Sequence, residues 1–175
     1  TGCLAGTPLA DLLFHLTMSK ILKSIRREFQ AAGLLVCIDP AVVTQVFGVD
    51  LHLDSTAVED ISYVDGCVFP LITKADSVVQ IIQQAVPILD RGFRKHALKL
   101  NYLQGKTEAL VVLQGPGAKK AAEFIYNQSH GVIACPIDGG NVVSLHVTEQ
   151  YKHLGSQTVW SASILPEIKA RVASV

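Results

Sequence analysis

The chain is 175 residues long, enough for an ordinary domain with a buried core, and 49% of it is hydrophobic. No apolar run approaches the roughly 18 residues of a membrane-spanning helix, so no membrane partner is expected. Fifteen lysines and arginines balance fifteen acids, which excludes a global field that would recruit nucleic acid; any polyanion site has to be a local patch.

Cys3, Cys37, Cys67 and Cys135 lie far apart with no CxxC or Cys/His spacing. That usage predicts free thiols in a reducing intracellular compartment, cytoplasmic or nuclear. The sequence opens on Thr1 without an initiator Met or a basic leader, which reads as a piece of a longer chain.

In chain order, Thr7 followed by Pro8 is a helix start: a hydroxyl to cap the first turn, then a residue with no N–H to satisfy. Leu9, Leu12, Leu13, Leu16, Ile21, Leu22, Ile25 and Phe29 recur at helical spacing and predict one long amphipathic helix ending near Gly33. Its polar face carries Lys20, Lys23, Arg26 and Arg27, either a solvated face or part of a phosphate-facing wall. Leu34 to Ile38 is a strand candidate. The remainder to Glu59, with Pro40, Gly48 and scattered acids, reads as a connection.

Ile61 to Phe69 is an aromatic and β-branched run broken by Asp65-Gly66. Asp-Gly accepts the positive φ angles of a two-residue hairpin turn, so two short strands are expected with Asp65 at the tip.

Ala75 to His96 has a helical pattern, with Val78, Val79, Ile82, Ala85, Val86 and Leu89 on one side, and Pro87 expected to kink or limit it. Arg91, Arg94, Lys95 and His96 close that helix, where cations suit the dipole. Leu98 to Leu103 alternates as a strand, Gly105-Lys106 lies at a bend, Ala109 to Leu113 reads as a second strand and Gly117 to Asn127 as a short helix. Val132 to Ile137 and Val142 to Val147 flank Asp138-Gly139-Gly140-Asn141, a second hairpin. The tail from Ser163 reads as a helix starting near Pro166. This order suggests an α+β fold, with helices packed on one face of an antiparallel sheet.

GTPLADLLF opening a long helix, ISYVDG on a hairpin, LKLN with KTEAL after the next helix, and finally YKHLGS follow one another along nearly the whole chain. In that order they resemble the palm of a reverse transcriptase of the non-LTR retrotransposon and group II intron kind. The resemblance implies an antiparallel palm-type sheet, with residues 1–150 as partial palm and 151–175 as a primer-grip hairpin and the start of a helical thumb. It implies template-directed nucleotidyl transfer by two Mg²⁺ ions, with an RNA template, a DNA primer and a dNTP as partners.

Carried over by motif, Gly6, Pro8 and Phe14 would pack against the templating base and incoming nucleotide. Tyr63 and Asp65 match the first and third positions of the family's Y-x-D-D hairpin, so Asp65 would be the catalytic metal ligand. Lys106 would lie near the triphosphate, and Tyr151, Lys152 and Gly155 would grip the primer terminus. The chemistry agrees with those residue types: two Mg²⁺ about 4 Å apart need several hard oxygen ligands held close together.

Gly66 stands where the family has its second aspartate, and the family's remaining metal aspartate lies on a strand before the Gly-x-Pro-Leu loop, outside these residues. Glu59 and Asp60 precede the hairpin and should lie at its far end, more than about 10 Å from the tip by strand rise. Ala5 replaces a polar residue found in many relatives. The expectation is therefore a reverse transcriptase fragment that is not catalytic as it stands. The alternative is a decayed α+β domain with at most weak nucleic-acid binding.

Overall fold

The computed structural model describes residues 7–38, 56–58, 60–63, 66–153 and 156–159. The fold is α+β, and the chain divides into two compact units, Thr1–Ile72 with Arg91–Leu98, and Thr73–Asp90 with Lys99–Val175.

The first unit is built on α1 (Pro8–Ala31). The Thr7 hydroxyl accepts the Ala10 N–H at 3.4 Å, and Pro8 takes the first helical position. The helix stops as predicted, with Gly33 left-handed at φ 68° and the Leu34 N–H returned to the Phe29 carbonyl. Met18, Ile21, Leu22, Ile25 and Phe29 are buried, whereas Leu9, Leu12, Leu13 and Leu16 are 60%, 55%, 47% and 54% exposed. The single apolar stripe expected along this helix is thus two stripes. Leu16 to Ile21 is a step of five residues, which at about 100° per residue swings the apolar face by about 140°.

Leu34 and Val36 extend the buried set, and the Phe29 ring lies 5.8 Å from that of Phe69. β1 (Val36–Ile38) pairs antiparallel with β2 (Thr56–Val58). β2 falls in the stretch read as a connection, because three residues are too few to display a period of two. The rest of that stretch, 39–55 and 59, lies outside the described residues.

The hairpin expected after it is present: β3 (Ile61–Tyr63) pairs antiparallel with β4 (Gly66–Val68). Its register differs from the one expected. Ile61 opposite Val68 and Ser62 opposite Cys67 bring Tyr63 opposite Gly66, so Gly66 belongs to a strand and not to the turn. The connecting pair, 64–65, is outside the described residues.

Ion pairs bind this unit across long sequence separations. Arg26 Nε donates to Asp60 Oδ1 at 2.6 Å, and the Asp60 side chain is 1% exposed. Arg91 donates through Nε (3.0 Å) and Nη2 (2.6 Å) to Glu28 Oε2, and Lys95 Nζ donates to Oε1 at 3.1 Å. Burial by itself raises the Glu28 carboxyl, but the hydrogen bonds and charges of Arg91 and Lys95 outweigh it and hold the pKa below the ordinary 4.5.

A depressed folded-state pKa means that the Glu28 contribution is fully present above the unfolded value and is lost as pH falls through the folded one. Urea unfolding followed into the acid range should show this loss in the native chain and a shallower pH slope in Glu28→Gln. Equal slopes would count against it.

In the second unit, a 3₁₀ turn (Ala75–Ser77) leads into α2 (Val78–Arg94), whose residues to Asp90 belong here. α2 continues through Pro87, so the proline does not limit the helix. Ile82 and Val86 of α2 form one buried cluster with Val111, Ile133, Cys135, Ile137 and Leu145. The last four come from β6 (Val132–Ile137) and β7 (Asn141–Thr148), which with β5 (Glu108–Leu110) make a sheet in the order β5-β7-β6. A helix thus covers one face of a sheet, as expected, but the sheet is mixed and not the antiparallel one expected, because β5 runs parallel to β7.

β6 and β7 form the predicted hairpin, with Ile137 opposite Asn141 and the turn at Gly139 (φ 85°) and Gly140 (φ 75°). β5 runs parallel to β7, Glu108 opposite His146. Pro136 is accommodated because β6 is an edge strand, and Gln83 Nε2 donates to the Ala134 carbonyl on that strand at 2.8 Å. Asp90 is buried and accepts the Tyr102 hydroxyl at 3.3 Å.

The strand expected over Leu98 to Leu103 is not formed. The Leu103 N–H donates to Asn101 Oδ1 and the Thr107 N–H to the Asn101 carbonyl, so the segment closes on itself as a loop. The helix expected from Gly117 is α3 (Ala118–Ala122), continued as a π-helical turn (Glu123–Gln128). β8 (Gln150–His153) and β9 (Ser156–Val159) form an antiparallel hairpin. The helix expected from Pro166 lies outside the described residues. Among the described residues no helix is long and apolar enough to cross a membrane.

Candidate nucleic-acid interface

Lys106 sits on a turn that its neighbours hold stiff. Its N–H donates to the Leu103 carbonyl at 3.1 Å, Asn101 takes the two hydrogen bonds already described, and the Gly105 N–H donates to Glu108 Oε1 at 2.7 Å. Gly105 supplies the left-handed residue, φ 78°, that the bend requires. The Lys106 side chain is exposed, available to an anion but also to solvent.

Tyr151 on β8 donates its hydroxyl to the Lys106 carbonyl at 3.1 Å. Two of the expected site residues, 45 positions apart, are therefore brought together. Lys152 follows on the same strand, opposite Gln157. Near this hairpin, burial and the Glu149 charge both raise the Tyr126 phenol, which therefore stays protonated at neutral pH.

The remaining expected residues belong to the first unit. Pro8 is exposed at the start of α1, and Phe14 is half-buried with its ring edge-on to His15 at 6.1 Å. Tyr63 lies on β3 opposite Gly66. Gly6, Asp65 and Gly155 lie outside the described residues.

Two features of the donor chemistry bear on Mg²⁺. Gly66 on β4 offers no side chain, and the Asp60 carboxylate is engaged by Arg26. Among the described residues no group of three or more His, Cys, Asp or Glu could hold a metal ion. The donor set the sequence offers at this hairpin is Asp65, where the two-metal reaction needs several carboxylates, so the residues do not fit the pair of ions. Burial pushes the Cys135 thiol up to about 11, which disfavours its thiolate at neutral pH. Cys37 and Cys135 are free thiols, as expected.

Sequence reading missed these ion pairs. Arg26 and Asp60 are 34 positions apart, Glu28 and Arg91 are 63, and no local pattern couples them. Those pairs divide the basic clusters: Arg26, Arg91 and Lys95 hold the fold together, while Lys20, Lys23 and Arg27 are exposed and make no ion pair among the described residues. Compared with family models, with curated proteins and with solved structures, the chain matches none.

Proposed function

We propose that this chain is a segment of a reverse transcriptase, palm and early thumb. In this reading the parent element carries out template-directed nucleotidyl transfer with an RNA template, a DNA primer, dNTPs and Mg²⁺, inside the cell, in cytoplasm or nucleus. The observation that carries the reading is the Tyr151 hydroxyl on the Lys106 carbonyl at 3.1 Å. Lys106 and Tyr151, from the two segments whose resemblance to the family was read separately, are in contact; on this reading they would serve a triphosphate and a primer end that are neighbours. Lys106 would supply positive charge to the phosphates, and Tyr151 would hold the turn that presents it.

A second reading is favoured by a different observation. Gly66 takes a strand position with no carboxylate, and Asp60 is occupied by Arg26. These features favour a decayed, non-catalytic domain with at most weak nucleic-acid binding.

Both readings predict no Mg²⁺-dependent primer extension by the 175 residues, and none after Gly66→Asp, because the upstream aspartate is still missing. Template-directed incorporation by the unmodified chain would overturn the assignment of inactivity. The readings separate on binding. If the first holds, a labelled RNA–DNA primer-template binds and Lys106→Ala weakens it severalfold, with a smaller salt dependence. Binding that ignores Lys106→Ala favours the second.

A further inference from the structure

The solvent side of α1 changes chemistry along its length. Leu9, Leu12, Leu13 and Leu16 are about half exposed, and Lys20, Lys23 and Arg27 follow at steps of four, three and four residues. Those steps keep all seven side chains on one face, opposite the buried Met18, Ile21, Leu22, Ile25 and Phe29. The face is about 27 Å long at helical rise, apolar over its first two turns and cationic over the rest. Half-exposed leucines in that number form a patch of a few hundred Å², the size at which an apolar surface marks an interaction site.

We propose that this face docks a helix of another protein, one that is apolar over two turns and acidic over the next two. Charge complementarity selects that occupant. A second copy of α1 is disfavoured in either direction. Parallel pairing sets the cations against one another, and antiparallel pairing about the leucines sets them at the other copy's N-terminus, where the helix dipole is positive. A nucleic-acid backbone satisfies the cations but leaves four leucines against phosphates. A bilayer is met by helices that segregate apolar and basic residues around the axis, and here they are segregated along it. This inference goes beyond the polymerase reading and does not depend on it.

The test uses the full chain and a labelled synthetic amphipathic helix with leucines over its first two turns and glutamates over its next two, followed by fluorescence anisotropy. The native chain should bind it, and Lys20→Glu/Lys23→Glu/Arg27→Glu should weaken binding about tenfold, as like charges then meet. The same peptide with lysines in place of the glutamates should show the reverse preference. Leu12→Ser/Leu13→Ser should weaken binding by about as much, and neither variant should lower the melting temperature, because these side chains are exposed.

Three results would overturn the proposal. The first is no binding, or binding indifferent to the charge swap. The second is concentration-dependent self-association that disappears in the leucine variant. The third is that the variants lose affinity for an RNA–DNA hybrid or a phosphatidylserine vesicle but not for the peptide.

Discussion

Gly92→Val is expected to destabilise the first unit by about 3 kcal/mol, near the upper end for overpacking a filled core. A Cβ at Gly92 would lie 2.5 Å from Ile25 Cγ1 and 3.0 Å from Cδ1, and Ile25 is itself buried. The contact is with the stem of a packed side chain, so the ring of residues around Ile25 has to move with it. Valine adds two further methyl groups and the χ1 restriction of a β-branched residue in a helix. Ordinary helix propensity argues the opposite, since replacing glycine in a helix interior gains up to about 1 kcal/mol. Gly92→Ala therefore reports directly on the clash: it should destabilise despite its better propensity. The confirming measurement is a double-mutant cycle. Ile25→Ala alone should cost about 2–5 kcal/mol, and Gly92→Val combined with it should cost less than the sum, because each relieves the other's misfit. Additive urea midpoints would show that the two residues do not compete for the same space.

The second large effect is expected at Arg26. The Asp60 carboxylate is 1% exposed and receives the Arg26 guanidinium at 2.6 Å. Arg26→Met keeps most of the stem packing but leaves that carboxylate buried without its cation, a loss of about 2–3 kcal/mol after allowance for the one-third exposure of Arg26. Asp60→Asn in the Arg26→Met background should recover part of it, since a neutral amide is cheaper to bury than a charge. No recovery would mean that the loss comes from stem packing alone. The pair also has a bearing on the hairpin. Asp60 directly precedes β3, so Arg26 ties the base of the hairpin to α1 in the manner of a strut. Under the polymerase reading, an acid that could have looked like a spare metal ligand is a structural anchor.

The seven exposed residues on α1 stand against these two. Changes there should leave stability within about 0.5 kcal/mol, the usual range for surface positions, and act on association instead.

Most of the local structure was legible in the order of residues, and for a shared reason. The Thr7-Pro8 start of α1, its stop at Gly33 and the Asp138-Gly139-Gly140 turn each depend on groups within a few positions of one another. Capping hydroxyls and positive-φ glycines act over that range whatever the rest of the chain does. The α+β class followed from the succession of those elements. Of the candidate site, Lys106 on a bend and Tyr151 on a hairpin were readable separately, but not their contact.

What the tertiary structure decided is what depends on pairing across distance. The parallel alignment of Glu108 with His146 joins strands separated by a helix and the strand β6, and nothing in either strand's pattern states which neighbour it takes. Leu98 to Leu103 had the alternation of a strand and became a loop, in which Asn101 accepts the Leu103 N–H with its side-chain Oδ1 and the Thr107 N–H with its carbonyl. The leucines of α1 had the composition of a core, yet only those residues in phase with Phe69 and Gly92 are buried. Composition determined that this helix would be apolar. Which of its apolar residues left the water was decided by where the rest of the unit could meet it, since burial requires a partner surface and a sequence by itself does not supply one.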